Sequence, residues 1–140
     1  MKFKIMFVSL IFLIFFIGAV SAVITDYNAP IGFERNPVTF AKGDFEMEMD
    51  SYNAFVDHDD YFKNTDDRKV KIINGTYAEY YDSFKEKTGA LEIIKIDGDQ
   101  YVVDSSFDGD DKSKTKDCLK YLDEFNKVNK FKPIKIDKAS

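Results

Sequence analysis

The chain has 140 residues, with 20 basic and 25 acidic side chains, one cysteine, one histidine and no tryptophan. A formal net charge of −5 gives no electrostatic drive toward nucleic acid or an anionic membrane surface, since both are held by Lys/Arg-rich faces. The single cysteine rules out an internal disulfide, and the single histidine rules out any two-histidine metal site, including the zinc-protease pattern H-E-x-x-H.

The chain opens with Lys2 and Lys4, followed by an uncharged, strongly apolar run over residues 5–24 that closes on Gly18-Ala19-Val20-Ser21-Ala22. A basic start, an apolar middle and a small-residue end make up the three-part layout of a secretory signal peptide at residues 1–22. Val20-Ser21-Ala22 suits cleavage before Val23, and Gly18 breaks the apolar helix at signal-peptide length. The same 20 residues also match the roughly 20 needed to span a bilayer, so the competing reading is an uncleaved anchor with Lys2 and Lys4 on the cytoplasmic side. A lipid anchor at the cut would need a cysteine, and Val23 stands there. Either reading places the remaining domain outside the membrane, secreted or extracellular, and residues 5–24 would be its membrane contact only if left uncleaved.

Without residues 1–22 the chain keeps 118 residues, 18 basic and 25 acidic, which is one domain's worth and enough to bury one hydrophobic core. Residues 23–43 carry Pro30, Gly32 and Pro37 without periodicity and read as an extended lead-in to a globular domain at 44–140. In residues 44–50, Phe45, Met47 and Met49 alternate with Asp44, Glu46, Glu48 and Asp50, the period of a strand with one buried and one wet face. Residues 57–69 are polar and acid-rich, a surface loop. A β-branched run at 70–73 and a return strand at 76–81 flank Asn74-Gly75, a strong hairpin signal. Tyr77, Tyr80 and Tyr81 on that return strand have to face both sides of the sheet.

A second hairpin pairs residues 90–96 with 100–107 around Asp97-Gly98-Asp99. The period then changes: Cys118, Tyr121, Leu122, Phe125 and Val128 recur at helical spacing within 113–129, with Asp111 or Ser113 as the N-cap and Pro133 as the stop. Strands followed by one amphipathic helix predict an α+β fold, a mostly antiparallel sheet of about five strands with the C-terminal helix on one face.

Asp104, Ser106, Asp108 and Asp110 place side-chain oxygens at alternate positions around Gly109, as in the calcium-loop pattern D-x-[DN]-x-[DN]-G, and are the candidate calcium ligands. Three features oppose it: Thr115 stands where a bidentate Glu should close the site, Asp111 where an apolar residue ties the loop to the core, and the approach is a strand. Asp57-His58-Asp59-Asp60 clusters carboxylates around the histidine, though adjacent loop residues rarely converge on one ion. A Cys118/His58 nucleophile–base pair is opposed by the position of Cys118 in the helix's apolar stripe, where a thiol behaves as a small hydrophobe. No Gly-x-Ser-x-Gly elbow or phosphate-cradling glycine loop exists, and no spacing selects a glycosidase-like carboxylate pair among the acids. Asn74-Gly75-Thr76 is an N-glycosylation acceptor in an exported chain.

The signal ending at Ala22, the Asn74-Gly75 hairpin and the tail from Tyr121-Leu122-Asp123-Glu124-Phe125 through Asn129 to Pro133 together resemble small exported proteins of methanogenic archaea. The resemblance implies an extracellular or cell-envelope setting and supplies no functional residues. The expectation is therefore an exported, non-catalytic domain acting by surface contact with an envelope component, a protein or a small ligand, without a cofactor. A weak calcium-binding module is the alternative, and an enzyme built on paired carboxylates is a third reading.

Overall fold

The computed structural model describes residues 23–52 and 61–136. Among the described residues the chain is α+β, with eight strands and one α-helix, every strand pair antiparallel. In chain order the strands are β1 (Glu34–Arg35), β2 (Phe40–Lys42), β3 (Phe45–Ser51), β4 (Arg68–Ile73), β5 (Tyr77–Asp82), β6 (Lys87–Ile96), β7 (Asp99–Asp108) and, after the helix α1 (Thr115–Asn129), β8 (Pro133–Ile134). They lie in the order β1-β2-β3-β7-β6-β5-β4, two meanders joined where β3 pairs with β7. Strand β8 pairs with Ile93 and Ile94 of β6, continuing along the edge that β5 occupies at residues 87–91.

The five long strands match those expected, and the count of about five is corrected to eight among the described residues. The additional strands, β1, β2 and β8, are only two or three residues long, too short to show an alternation. The lead-in expectation for residues 23–43 is corrected as well. That segment contributes β1 and β2 and sends Ile24 and Phe40, both fully buried, into the main core. Its rings also grip the helix and the segment just past it: Phe33 meets Tyr121 edge-on at 4.7 Å, and Tyr27 meets Phe131 at 5.3 Å. Asn129 fastens the strap by accepting from the Asn28 amide and donating to the Asn28 carbonyl, both at 2.8 Å.

The helix packs as its periodicity predicts, with Cys118, Tyr121, Leu122 and Phe125 buried against Met47, Ala90, Ile94 and Val103 of the sheet. Val128 is the exception and stays exposed. The Asp111 carboxylate caps the lead-in turn Lys112–Lys114 by accepting from the Ser113 amide at 3.0 Å. Lys130 ends the helix in the left-handed region, and the Phe131 amide returns to the Asn126 carbonyl. A second core lies on the other face, where Phe62, Val70, Ala78, Tyr80, Leu91, Ile93, Val102 and Ile136 close together. The sheet is thus covered on both sides, by the helix and its strap over β3, β7 and β6 on one face, and partly on the other. The uncovered part of that second face is where the polar side chains collect.

Candidate functional site

The period of two aims Glu46, Glu48 and Asp50 of β3, and Val102, Asp104, Ser106 and Asp108 of β7, at the open face. Glu48 and Asp104 are direct cross-strand partners. Two like charges in that position repel, so the pair is stable only where something offsets one of them. Tyr80 supplies part of the compensation, its hydroxyl donating to Asp104 Oδ1 at 2.7 Å.

Gly89 explains how Tyr80 reaches so far. It is the cross-strand partner of Tyr80, and the ring lies flat across it. A Cβ at Gly89 would sit 2.6 Å from the ring and 2.6 Å from the Ser105 carbonyl oxygen, so only glycine leaves the ring its place. Arg68 closes the stack from above, its guanidinium carbon 4.1 Å from the centre of the Tyr80 ring. The same guanidinium pairs with Asp82 at 3.5 Å and donates twice to the Tyr61 carbonyl, at 3.0 and 3.2 Å. Tyr61 in turn donates its hydroxyl to Asp50 at 3.2 Å.

Around this stack is a cleft of about 390 Å³, lined by Glu48, Asp104, Arg68, Asp82, Lys63, Lys85 and Phe84 among others. Asp104 is the chemically distinctive group in it. Burial and the neighbouring Glu48 push its carboxyl up to about 6, against the lowering effect of the Tyr80 hydroxyl, Arg68 and Lys87. The Tyr80 phenol is driven upward in turn by burial and by the Asp104 charge, so it stays a donor. Phe84 projects from the β5–β6 turn with 83% of its surface exposed. That turn is tied down: the Ser83 amide donates to the Asp67 carbonyl, the Lys85 amide to the Asp82 carboxylate, and the Gly109 amide to the Glu86 carbonyl.

The structure spreads the residues of the calcium-loop expectation along a strand. Asp104, Ser106 and Asp108 belong to the extended strand β7, where alternate side chains stand roughly 6.6 Å apart. Asp104 turns to Tyr80, Ser106 donates to the Glu46 carbonyl at 3.5 Å, and Asp110 lies beyond the strand's end. Among the described residues no three His, Cys, Asp or Glu side chains are grouped to hold a metal. The Asp57-His58-Asp59-Asp60 cluster lies outside the described residues, as does the segment 1–22.

Cys118 is buried under the helix, its thiol pushed up to about 12 by burial and 3.9 Å from the Thr88 carbonyl. Asn74 is exposed at the β4–β5 turn, with Asn74 and Gly75 both at positive φ, the geometry of a type I′ hairpin. Of the three tyrosines on β5, Tyr80 faces the cleft, and Tyr77 and Tyr81 lie half-buried on the opposite face. Sequence reasoning missed Arg68, Glu48, Phe84 and Lys85. Their convergence depends on the pairing of β3 with β7, which no local pattern announces. Gly89, the other half of the Tyr80 stack, stands one residue before the run 90–96 and outside the strand pattern read there.

No family model, curated protein or solved structure matches this chain. The candidate site therefore stands on its own geometry. Among the described residues no helix is long and apolar enough to cross a membrane.

Proposed function

We propose that this chain is an exported domain that acts by contact, with the cleft on the open face of the sheet as its binding site and no reaction of its own. The supporting observation is the cleft itself: a cavity of about 390 Å³ in which side chains from β3, β4, β5 and β7 meet an exposed aromatic on a tethered turn. This size lies at the lower end of small-molecule sites, roughly 300–1,000 Å³. Its internal hydrogen bonds hold the polar groups in place before any ligand arrives, which lowers the entropy cost of binding. Export rests on the n-, h- and c-regions of residues 1–22, and the envelope or extracellular space is the proposed setting.

The test is amide chemical-shift mapping of the chain with a library of small polar fragments. Responses clustered on Glu48, Arg68, Asp82, Phe84, Lys85 and Asp104 are the expected result. Responses confined to another surface sink the assignment.

One observation favours a second reading, the paired-carboxylate enzyme. Asp104 keeps its proton up to about 6 beside a second carboxylate, the environment that sets up a general acid. Chromogenic glycosides, esters and phosphates would reveal it as turnover that disappears in Asp104→Asn and declines as pH rises past about 6. Absence of turnover in a chain that still binds fragments leaves the contact reading.

A further inference from the structure

The chemistry of the cleft selects among ligand classes. Its cationic side chains Lys63, Arg68 and Lys85 are matched by Glu48, Asp67, Asp82 and Asp104, so no one sign of charge dominates. A ligand carrying one strong charge meets repulsion as well as attraction there, which costs affinity. The hydrogen-bonding groups are equally mixed. Glu48 and Asp104 accept, the ammonium groups of Lys63 and Lys85 donate, and the Glu48 and Lys85 side chains have no ion-pair partner among the described residues. Adjacent donors and acceptors suit groups that do both at once, and a hydroxyl is such a group.

Phe84 supplies the remaining element. Its ring lines the cleft yet is 83% exposed, and the turn that carries it is held by hydrogen bonds from Ser83 and Lys85. An exposed aromatic ring carried on an anchored turn at the mouth of a polar cleft offers a platform for the C–H face of a sugar ring, whose hydroxyls then point to the polar walls.

We propose that the cleft binds a neutral carbohydrate, with Phe84 stacking on a pyranose ring and Glu48, Asp104, Arg68 and Lys85 hydrogen-bonding its hydroxyls. This inference rests on the reading of the cleft as the contact site and adds the ligand class. The residue that sets specificity is Phe84. It packs in no core cluster, so its removal leaves the fold intact.

The experiment titrates the exported chain with cellobiose, mannobiose and N,N′-diacetylchitobiose, and in parallel with putrescine as a cation and succinate as an anion, following backbone amide shifts. The expected result is that at least one disaccharide shifts the amides of Phe84 and Lys85 with a Kd on the order of 1–10 mM. Phe84→Ala should weaken that binding roughly tenfold with an unchanged thermal midpoint, and Phe84→Tyr should retain it. If putrescine or succinate shifts the cleft amides and no disaccharide does, the carbohydrate class is wrong and the contact site stands. If no probe shifts any cleft amide, both fail. Disaccharide binding that is indifferent to Phe84→Ala also overturns the proposal.

Discussion

Glu92 and Asp104 sit one rung apart on the β6–β7 pair and point to opposite faces of the sheet. Both carboxyls are pushed upward, that of the buried Glu92 to about 7 and that of the half-buried Asp104 to about 6, with desolvation the largest cause in each. Their surroundings differ. Under the helix, Glu92 accepts one hydrogen bond, from Asn126 Nδ2 at 2.7 Å, with Asp123 as the neighbouring charge. Asn126 Oδ1 is buried there without a partner, and a protonated Glu92 has a hydrogen to offer it. On the open face, Asp104 has Tyr80, Arg68 and Lys87 to lower it, Glu48 to raise it, and a cleft above it. Two acids in one ladder thus meet different surroundings: one is sealed under the helix, and the other faces an open cleft.

The helix face should be the more sensitive to truncation. Phe125→Ala removes a fully buried ring that packs on Phe40 and Phe131, and should cost about 3–5 kcal/mol in urea unfolding. A cost below that of the open-face changes would reverse the ranking of the two cores.

Protonation of Glu92 comes next. Its folded value, about 7, lies above the unfolded 4.5, so between these limits the native state holds a proton that the unfolded chain has released. Stability from this group is full below about 4.5, falls as pH rises, and is lost once pH passes about 7, a change on the order of 3 kcal/mol. Asp104 adds a fall of the same sign that extends through about 6 and overlaps that of Glu92. Denaturant melts should slope downward as pH rises through about 7 in the native chain, and less steeply in Glu92→Gln. A slope unchanged by Glu92→Gln assigns the proton elsewhere.

On the open face, Gly89→Ala forces a methyl into the Tyr80 ring and the Ser105 carbonyl and should cost roughly 1–3 kcal/mol. Combined with Tyr80→Ala it should cost less than the two changes added, because one of the two clashes is then gone. Strict additivity in that cycle would show that the ring does not lie over Gly89. Tyr80→Phe has the smallest effect, about 1 kcal/mol for the lost hydrogen bond. It should also raise the Asp104 carboxyl further, since the phenol lowers it, and a carboxyl-carbon NMR titration reads that shift directly.

The two faces were not equally legible in the amino-acid sequence. Periods of two and 3.6 located the five long strands and the helix, and placed Met47, Met49, Cys118, Leu122 and Phe125 in the core. They did not place β1, β2 or β8, because alternation has no meaning over two or three residues. The site was less readable still. Asp104 drew attention as a member of a loop pattern, while its actual partners are Tyr80, by lateral reach across Gly89, and Glu48, by a pairing between distant segments. Arg68 sits at the end of an acid-rich run whose composition suggested only solvent. Which strands become neighbours is decided by the fit of whole faces, and that information is spread over the chain.

Ile24 gives the N-terminal boundary a mechanical meaning. It is fully buried in the main core, and Asn28 is clasped to the far end of the helix four residues later. The domain therefore begins with no leash. Under the proposed export, a cut before Val23 would leave that first core residue with the domain, whereas a cut two residues further on would sever it from the body it helps to close.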